Sequence, residues 1–248
     1  MGRREEVFST YARIGKTYVR WAPSLLLLAV VVFVPLGLVH AIALEAEIGS
    51  VGFSTSLKLL ATVVAVLALA ATGLVGEMFY AGAVAISLTH PHDGEPPSLR
   101  EIAAMVNYGP LIAIDLIYSA LVALGLVLFV VPGALAFVWL GLAAPVVEIE
   151  HTGVRAAFAR SVYLVRRRFL VVAAVLIPIE LLGDGLTDLA TALTHGLLGS
   201  KLLCDWMADT LFNLAFTPFY AVAAVLLTVD LIREKGGAAR LRPHPSRA

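Results

Sequence analysis

Apolar residues run along this chain in long unbroken blocks, not in the alternation of a half-buried strand, and short polar gaps separate the blocks. The blocks fall at about 23–44, 57–88, 108–130, 132–148, 169–188 and 209–232. A hydrocarbon core about 30 Å thick takes about 20 apolar residues of helix at ~1.5 Å rise. The pattern therefore predicts an all-α polytopic integral membrane protein with six spans. The second block is over-long and has to tilt, kink or project, and the fourth is short. The gaps leave no room for a folded soluble domain, so residues 1–232 form one membrane-embedded domain and 233–248 a basic tail.

The segments before spans one, three and five are amphipathic and predict helices lying at the interface. In residues 1–22, Phe8, Tyr11, Ala12, Gly15, Tyr18 and Val19 share one face at 100° per residue, and Arg13, Lys16 and Arg20 sit opposite. The second segment opens at Ser98 with Glu101 three residues on, a capping-box spacing, and Leu99, Ile102 and Val106 share a face. In the third, Val154, Phe158, Leu164 and Val165 oppose Arg155, Arg160, Arg166 and Arg167. A threefold unit of surface helix plus hairpin fits this layout. Val131-Pro132-Gly133 joins spans three and four with almost no loop, since Pro ends one helix and fits the first turn of the next. Small residues Ala68, Thr72, Gly76, Ala81 and Ala85 suit close helix packing in lipid.

Composition and charge sharpen this picture. Hydrophobic residues make up 60% of the 248 and charged ones 15%, outside the range of a soluble domain. The formal charge of zero hides an asymmetry: with six spans and a cytoplasmic N-terminus, all 18 Lys and Arg except Lys58 and Lys201 fall on the cytoplasmic side. Lys and Arg bias in short loops sets orientation, so a cytoplasmic (inner) membrane with both termini inside is predicted. The start, MGRREEVFSTYARIGK, lacks the apolar core of a cleaved leader, and Glu6 stands where a myristoylation string needs Ser or Thr. A single cysteine, Cys204, leaves no internal disulfide.

Two stretches resemble the membrane domain of glycerophosphoryl diester phosphodiesterases and related six-helix membrane proteins of unknown function. The first is Val131-Pro132-Gly133 followed by Ala144-Pro145-Val146-Val147, Glu150, Gly153, Ala157, Arg160-Ser161 and Leu164. The second is Pro218 and the run Leu226 to Gly236, with Asp230 and Arg233; Thr228 and Val229 stand where aromatic residues are usual, and Ile232 displaces the Arg by one. The resemblance implies a six-helix membrane protein. It does not imply phosphodiesterase activity, which belongs to a separate barrel domain whose His-Arg and acidic metal-binding motifs are missing here.

Candidate chemistry is sparse. Ionisable groups inside a membrane are costly and often functional. Glu180 lies about 18 Å and Asp184 about 24 Å in from Arg168, and Asp188 reaches the outer interface. Glu180, Asp184 and Asp188 share a face, as do Asp205, Asp209 and Asn213. No Lys or Arg falls inside the bilayer beside Glu180 or Asp115, so each carboxyl has to be protonated, reach water, hydrogen-bond a neighbour or hold a cation. These six carboxylates are the candidate cation or proton site. Gly183-Asp184-Gly185 reads as a helix end, which instead places Asp184 and Asp188 in water. Glu77 reads as a snorkelling residue near the inner interface. Asp230 and Arg233, three apart, are close enough to pair.

The five arginines Arg155, Arg160, Arg166, Arg167 and Arg168 are candidate lipid-headgroup contacts, attracting anionic lipid at ~1 kcal/mol each. His90, His92 and Asp93 have no further ligands at metal-site spacing, and no metal, cofactor or nucleic-acid motif is read. Three functions follow. The first is a non-enzymatic module binding anionic lipids or a partner protein through the basic inner surface. The second is a small ion- or proton-coupled transporter or channel using the intramembrane carboxylates. The third, an intramembrane lipid enzyme, finds no visible set of acid, base and nucleophile.

Overall fold

In an apolar medium the backbone has to satisfy its own polar groups, which favours uninterrupted helix wherever side chains are apolar. A computed structural model describes residues 3–45, 76–90, 97–198 and 201–235. Among these, every regular element is helical: α1 (Arg3–Glu45), α2 (Glu77–Thr89), α3 (Leu99–Met105), α4 (Tyr108–Leu128), α5 (Val130–Leu140), α6 (Ala143–Glu150), α7 (Val154–Val165), α8 (Phe169–Leu198) and α9 (Lys201–Glu234). Among the described residues, four stretches are long and apolar enough to cross a membrane: Arg4–Gly37, Tyr108–Leu128, Val130–Glu150 and Asn213–Glu234. Glu77–Thr89 and Phe169–Gly183 are apolar but shorter.

Several boundaries differ from those read in the sequence. The surface helix 1–22 and the span 23–44 are one continuous helix, with Pro23 and Pro35 inside it. A proline removes one backbone donor without having to end a membrane helix. The face expected to meet lipid divides. Phe8 and Val19 are exposed, whereas Tyr11 donates its hydroxyl to Ala174 and Val175 carbonyls of α8 at 3.0 and 3.1 Å. Tyr18 donates to the Ala215 carbonyl of α9 at 3.4 Å and meets the Phe219 ring edge-on at 5.8 Å. With Ile14 fully buried, α1 packs along α9 and α8 from its first turns onward.

The over-long second block is interrupted. Gly76 has φ +101°, a left-handed conformation that only glycine adopts without strain, and α2 begins at the next residue. A Cβ at Gly76 would lie 2.5 Å from Leu36 Cδ1, so the site also needs glycine for space. Ala68, Thr72 and the first part of the 57–88 block lie outside the described residues, as do His92 and Asp93. By contrast, Gly183-Asp184-Gly185 does not end a helix; α8 runs through it to Leu198.

The hairpin between α4 and α5 turns at Phe129, whose extended backbone (φ −159°, ψ 137°) separates the two helices. Pro132 sits in the first turn of α5, where its missing N–H is harmless. Gly125 and Gly133 face each other so closely that a Cβ on Gly125 would meet the Gly133 backbone at 2.7 Å. The Ser98–Glu101 capping box is formed: the Glu101 amide donates to Ser98 Oγ at 3.3 Å and the Ser98 amide to Glu101 Oε2 at 2.8 Å.

The core lies where α2 meets α9 and α6. Tyr80, Tyr118, Tyr220, Met78 and Leu176 are fully or almost fully buried there, beside the small residues Ala81, Ala85, Ala221 and Ala224. Small side chains on both helices let the backbones come close, the packing that drives association where hydrophobic force is absent.

Candidate functional site

The basic residues gather at one rim of the bundle, where α1 begins, α7 ends, α8 begins and α9 ends. Three of them, Arg13, Arg160 and Arg168, face an acidic partner from another element. Arg13 of α1 forms a two-point ion pair with Asp230 of α9 at 2.8 and 3.2 Å. That arrangement replaces the expected pairing of Asp230 with Arg233: the α1–α9 contact brings in a guanidinium that meets both carboxylate oxygens, and Arg233 is exposed. Arg160 grips Glu150 through Nε and Nη2 at 3.0 and 2.8 Å. Both side chains are half-buried, so the pair ties α7 to the end of α6. Ser161 is fully buried and donates to the Trp139 carbonyl at 2.7 Å, which fixes α7 on α5.

Arg168 is the junction of the rim. Its Nη1 reaches Glu6 at 3.1 Å, while Nη2 and Nε reach Glu234 at 2.8 and 3.0 Å, so one guanidinium fastens the starts of α1 and α8 to the end of α9. The hydrogen bond and charge of Glu234, with the charge of Glu6, raise its pKa above the ordinary arginine value, and it stays charged at any working pH. Lys235 donates to the carbonyls of Tyr163 and Leu164 at the end of α7 and lies 4.1 Å from the centre of the Tyr163 ring. Partial burial first, and then the guanidiniums of Arg167, Arg160 and Arg166, hold the Lys235 ammonium below its ordinary pKa.

Of the five expected headgroup contacts, the structure thus binds Arg160 and Arg168 into ion pairs and leaves Arg155, Arg166 and Arg167 exposed. Arg166 and Arg167 border two cavities. One, about 470 Å³, is completed by Tyr163, Arg168, Glu234 and Lys235. The other, about 360 Å³, is completed by Arg168 and the first apolar residues of α8, Phe169, Leu170 and Val171.

The intramembrane carboxylates part company. Asp115, expected in a cation or proton site, is 4% exposed and caps α2 from the side: Oδ2 accepts from Gly76 N at 2.7 Å, and Oδ1 from Met78 N at 3.0 Å and Phe79 N at 3.3 Å. The first N–H groups of a helix have no acceptor within it, and a carboxylate there also complements the helix dipole. Glu148, equally buried, accepts from the Asn107 amide at 3.1 Å and so anchors the start of α4 to α6.

Glu180 and Glu77 lie elsewhere, both within electrostatic reach of the hydroxyls of Tyr118 and Tyr220. Glu77 is 8% exposed, a core residue and not a snorkelling one. The two tyrosine hydroxyls face each other, and neither meets a partner in full hydrogen-bond geometry. The four groups come from four helices, α2, α4, α8 and α9, and lie near enough for the carboxylates to act electrostatically on the tyrosines. The backbone carrying Asp184, Asp188, Asp205 and Asp209 is helical, but their side chains lie outside the described set. Among the described residues, no three His, Cys, Asp or Glu side chains group as metal ligands.

The sequence reading missed Glu6, Tyr163 and Lys235 at the rim and Tyr118 and Tyr220 in the interior. Tyr163 lies three residues after Arg160 on one helix, a spacing that offers a signal; the other contacts join segments far apart in the chain and offer none. No family model matches this chain, and no curated protein or solved structure does either.

Proposed function

We propose that this chain is a non-enzymatic module of the cytoplasmic membrane that holds anionic lipid or a partner protein through its basic inner rim. In this reading it crosses the bilayer six times, with both termini cytoplasmic and amphipathic segments at the inner interface. Kinship with the membrane domain named above rests on the motif residues Pro132, Gly133, Glu150, Arg160, Ser161, Asp230 and Arg233.

The observation that carries the reading is the division of labour among the arginines. Arg13, Arg160 and Arg168 are engaged by carboxylates, whereas Arg155 stands exposed in the first turn of α7 and Arg166 and Arg167 stand exposed just before the apolar helix α8. Exposed cations beside a bilayer attract anionic headgroups. Replacing Arg155, Arg166 and Arg167 together by Gln is expected to lower retention of anionic lipid in native mass spectrometry; equal retention overturns the reading. Accessibility labels at Ser50 and Leu198 reporting the cytoplasmic side would overturn the topology.

A small ion- or proton-coupled transporter is the second reading, favoured by the meeting of Glu77, Glu180, Tyr118 and Tyr220 in the apolar interior. Asp115 takes no part in it, since both its oxygens are engaged by backbone amides. Proteoliposomes carrying Glu180→Gln should lose a flux that the native protein shows; unchanged flux removes the residue from the mechanism.

A further inference from the structure

We infer that the two cavities flanking Arg166 and Arg167 form one site for the phosphate of a single anionic phospholipid, with the start of its acyl chains against Phe169 and Leu170. This deepens the reading of the basic rim and rests on it.

The geometry separates cations that build the site from cations that can bind a ligand. Arg168 spends its donors on Glu6 and Glu234, and Lys235 spends at least two on helix-terminal carbonyls. Both are thereby fixed in the wall of the larger cavity. Arg166 and Arg167 keep exposed side chains, and each borders both cavities. A guanidinium offers several N–H donors in a plane that matches two phosphate oxygens, a geometry an ammonium lacks. Burial first, and then the neighbouring guanidiniums with Arg167 foremost among them, hold the Lys235 ammonium below its ordinary pKa.

The second cavity makes the ligand a lipid in preference to a soluble phosphate. Leu170 is 57% exposed directly beside the arginines, and Phe169 packs edge-on against Trp139 at 6.2 Å, giving a fixed apolar wall. A headgroup phosphate on Arg166 and Arg167 therefore has hydrocarbon-compatible surface within one helical turn.

The test is native mass spectrometry of the full chain in detergent, titrated separately with phosphatidylglycerol, phosphatidylcholine and glycerol phosphate. One phosphatidylglycerol per chain is expected to be retained above the other two probes. Arg166→Gln should weaken it about fivefold and the Arg166→Gln/Arg167→Gln pair about 25-fold, at the attraction of one basic residue per step. Arg233→Gln, outside both cavities, should leave it unchanged, and circular dichroism checks that each variant keeps its helix. If Arg233→Gln weakens retention as much as Arg166→Gln, the diffuse basic rim survives and the discrete site falls. If the double variant retains phosphatidylglycerol like the native chain, the site falls outright. If glycerol phosphate binds as tightly as the lipid, or Leu170→Gln leaves lipid retention unchanged, the lipid assignment is overturned in favour of a soluble phosphate.

Discussion

The rim and the interior of this protein meet the same electrostatic problem with different means. At the rim, carboxylates are matched by guanidiniums: Asp230 by Arg13, Glu150 by Arg160, Glu6 and Glu234 by Arg168. In the interior, Asp115 and Glu148 are held by backbone amides. Ion pairs suit the exposed rim because water shields whatever is imperfect, which also keeps each pair's net contribution small. Amides suit the interior because a helix start brings several unmet donors to one place, and a single carboxylate answers them together. The interior device therefore carries more of the fold than the more conspicuous rim.

Breaking the interior should cost most. Asp115→Ala strands three buried N–H groups and is expected to destabilise the protein by about 3 kcal/mol or more, with Asp115→Asn costing less because its one carbonyl oxygen still accepts. Denaturant titration in detergent micelles checks both; equal stability of the alanine variant and the native protein would refute the capping role. Gly76→Ala is next, at about 1–2 kcal/mol for the left-handed backbone, with a further penalty from the Leu36 contact, measured in the same titration. At the rim, Arg160→Ala should cost about 1–2 kcal/mol, since the pair is half-buried and two-pronged. A double-mutant cycle with Glu150→Ala should return a coupling above about 0.5 kcal/mol.

The smallest effect concerns pH. The folded pKa of Lys235 lies below its ordinary value of 10.5, so in the window between the two the unfolded chain binds a proton that the folded chain has released. Stability should therefore rise as pH climbs through that window and level off above it. Comparing thermal midpoints from neutral pH upward in native protein and Lys235→Gln isolates the contribution; an identical rise in both would remove Lys235 as its source.

How much of this was legible in the chain depends on whether the deciding contact is local. The capping box at Ser98 and Glu101 spans three residues and was readable in full. The turn between α4 and α5 was readable to within two residues, because Pro132 signals a first turn but the extended residue, Phe129, carries no special chemistry. The break at Gly76 was concealed within a stripe of small residues, where one more glycine resembles packing. Gly183 and Gly185 misled in the opposite sense: in apolar surroundings, keeping backbone hydrogen bonds outweighs the roughly 1 kcal/mol that glycine costs a helix. Asp115 was correctly singled out as needing an explanation, and hydrogen bonding was among those open to it. The donors lie on another helix, and no spacing rule could select that outcome over a bound cation. Asp230 was likewise assigned a near neighbour, Arg233, when its partner sits 217 positions away.

The side-on cap has a bearing on how the protein is made. Gly76 and Asp115 are 39 residues apart, so the beginning of α2 leaves the ribosome well before its acceptor exists. Until α4 arrives alongside, those amides have to be served by water or another acceptor, and α2 is not yet a finished element. Arrival of the later helix completes the earlier one. The order of synthesis is thus written into the fold as a dependency, with a single carboxylate as the latch between the two helices.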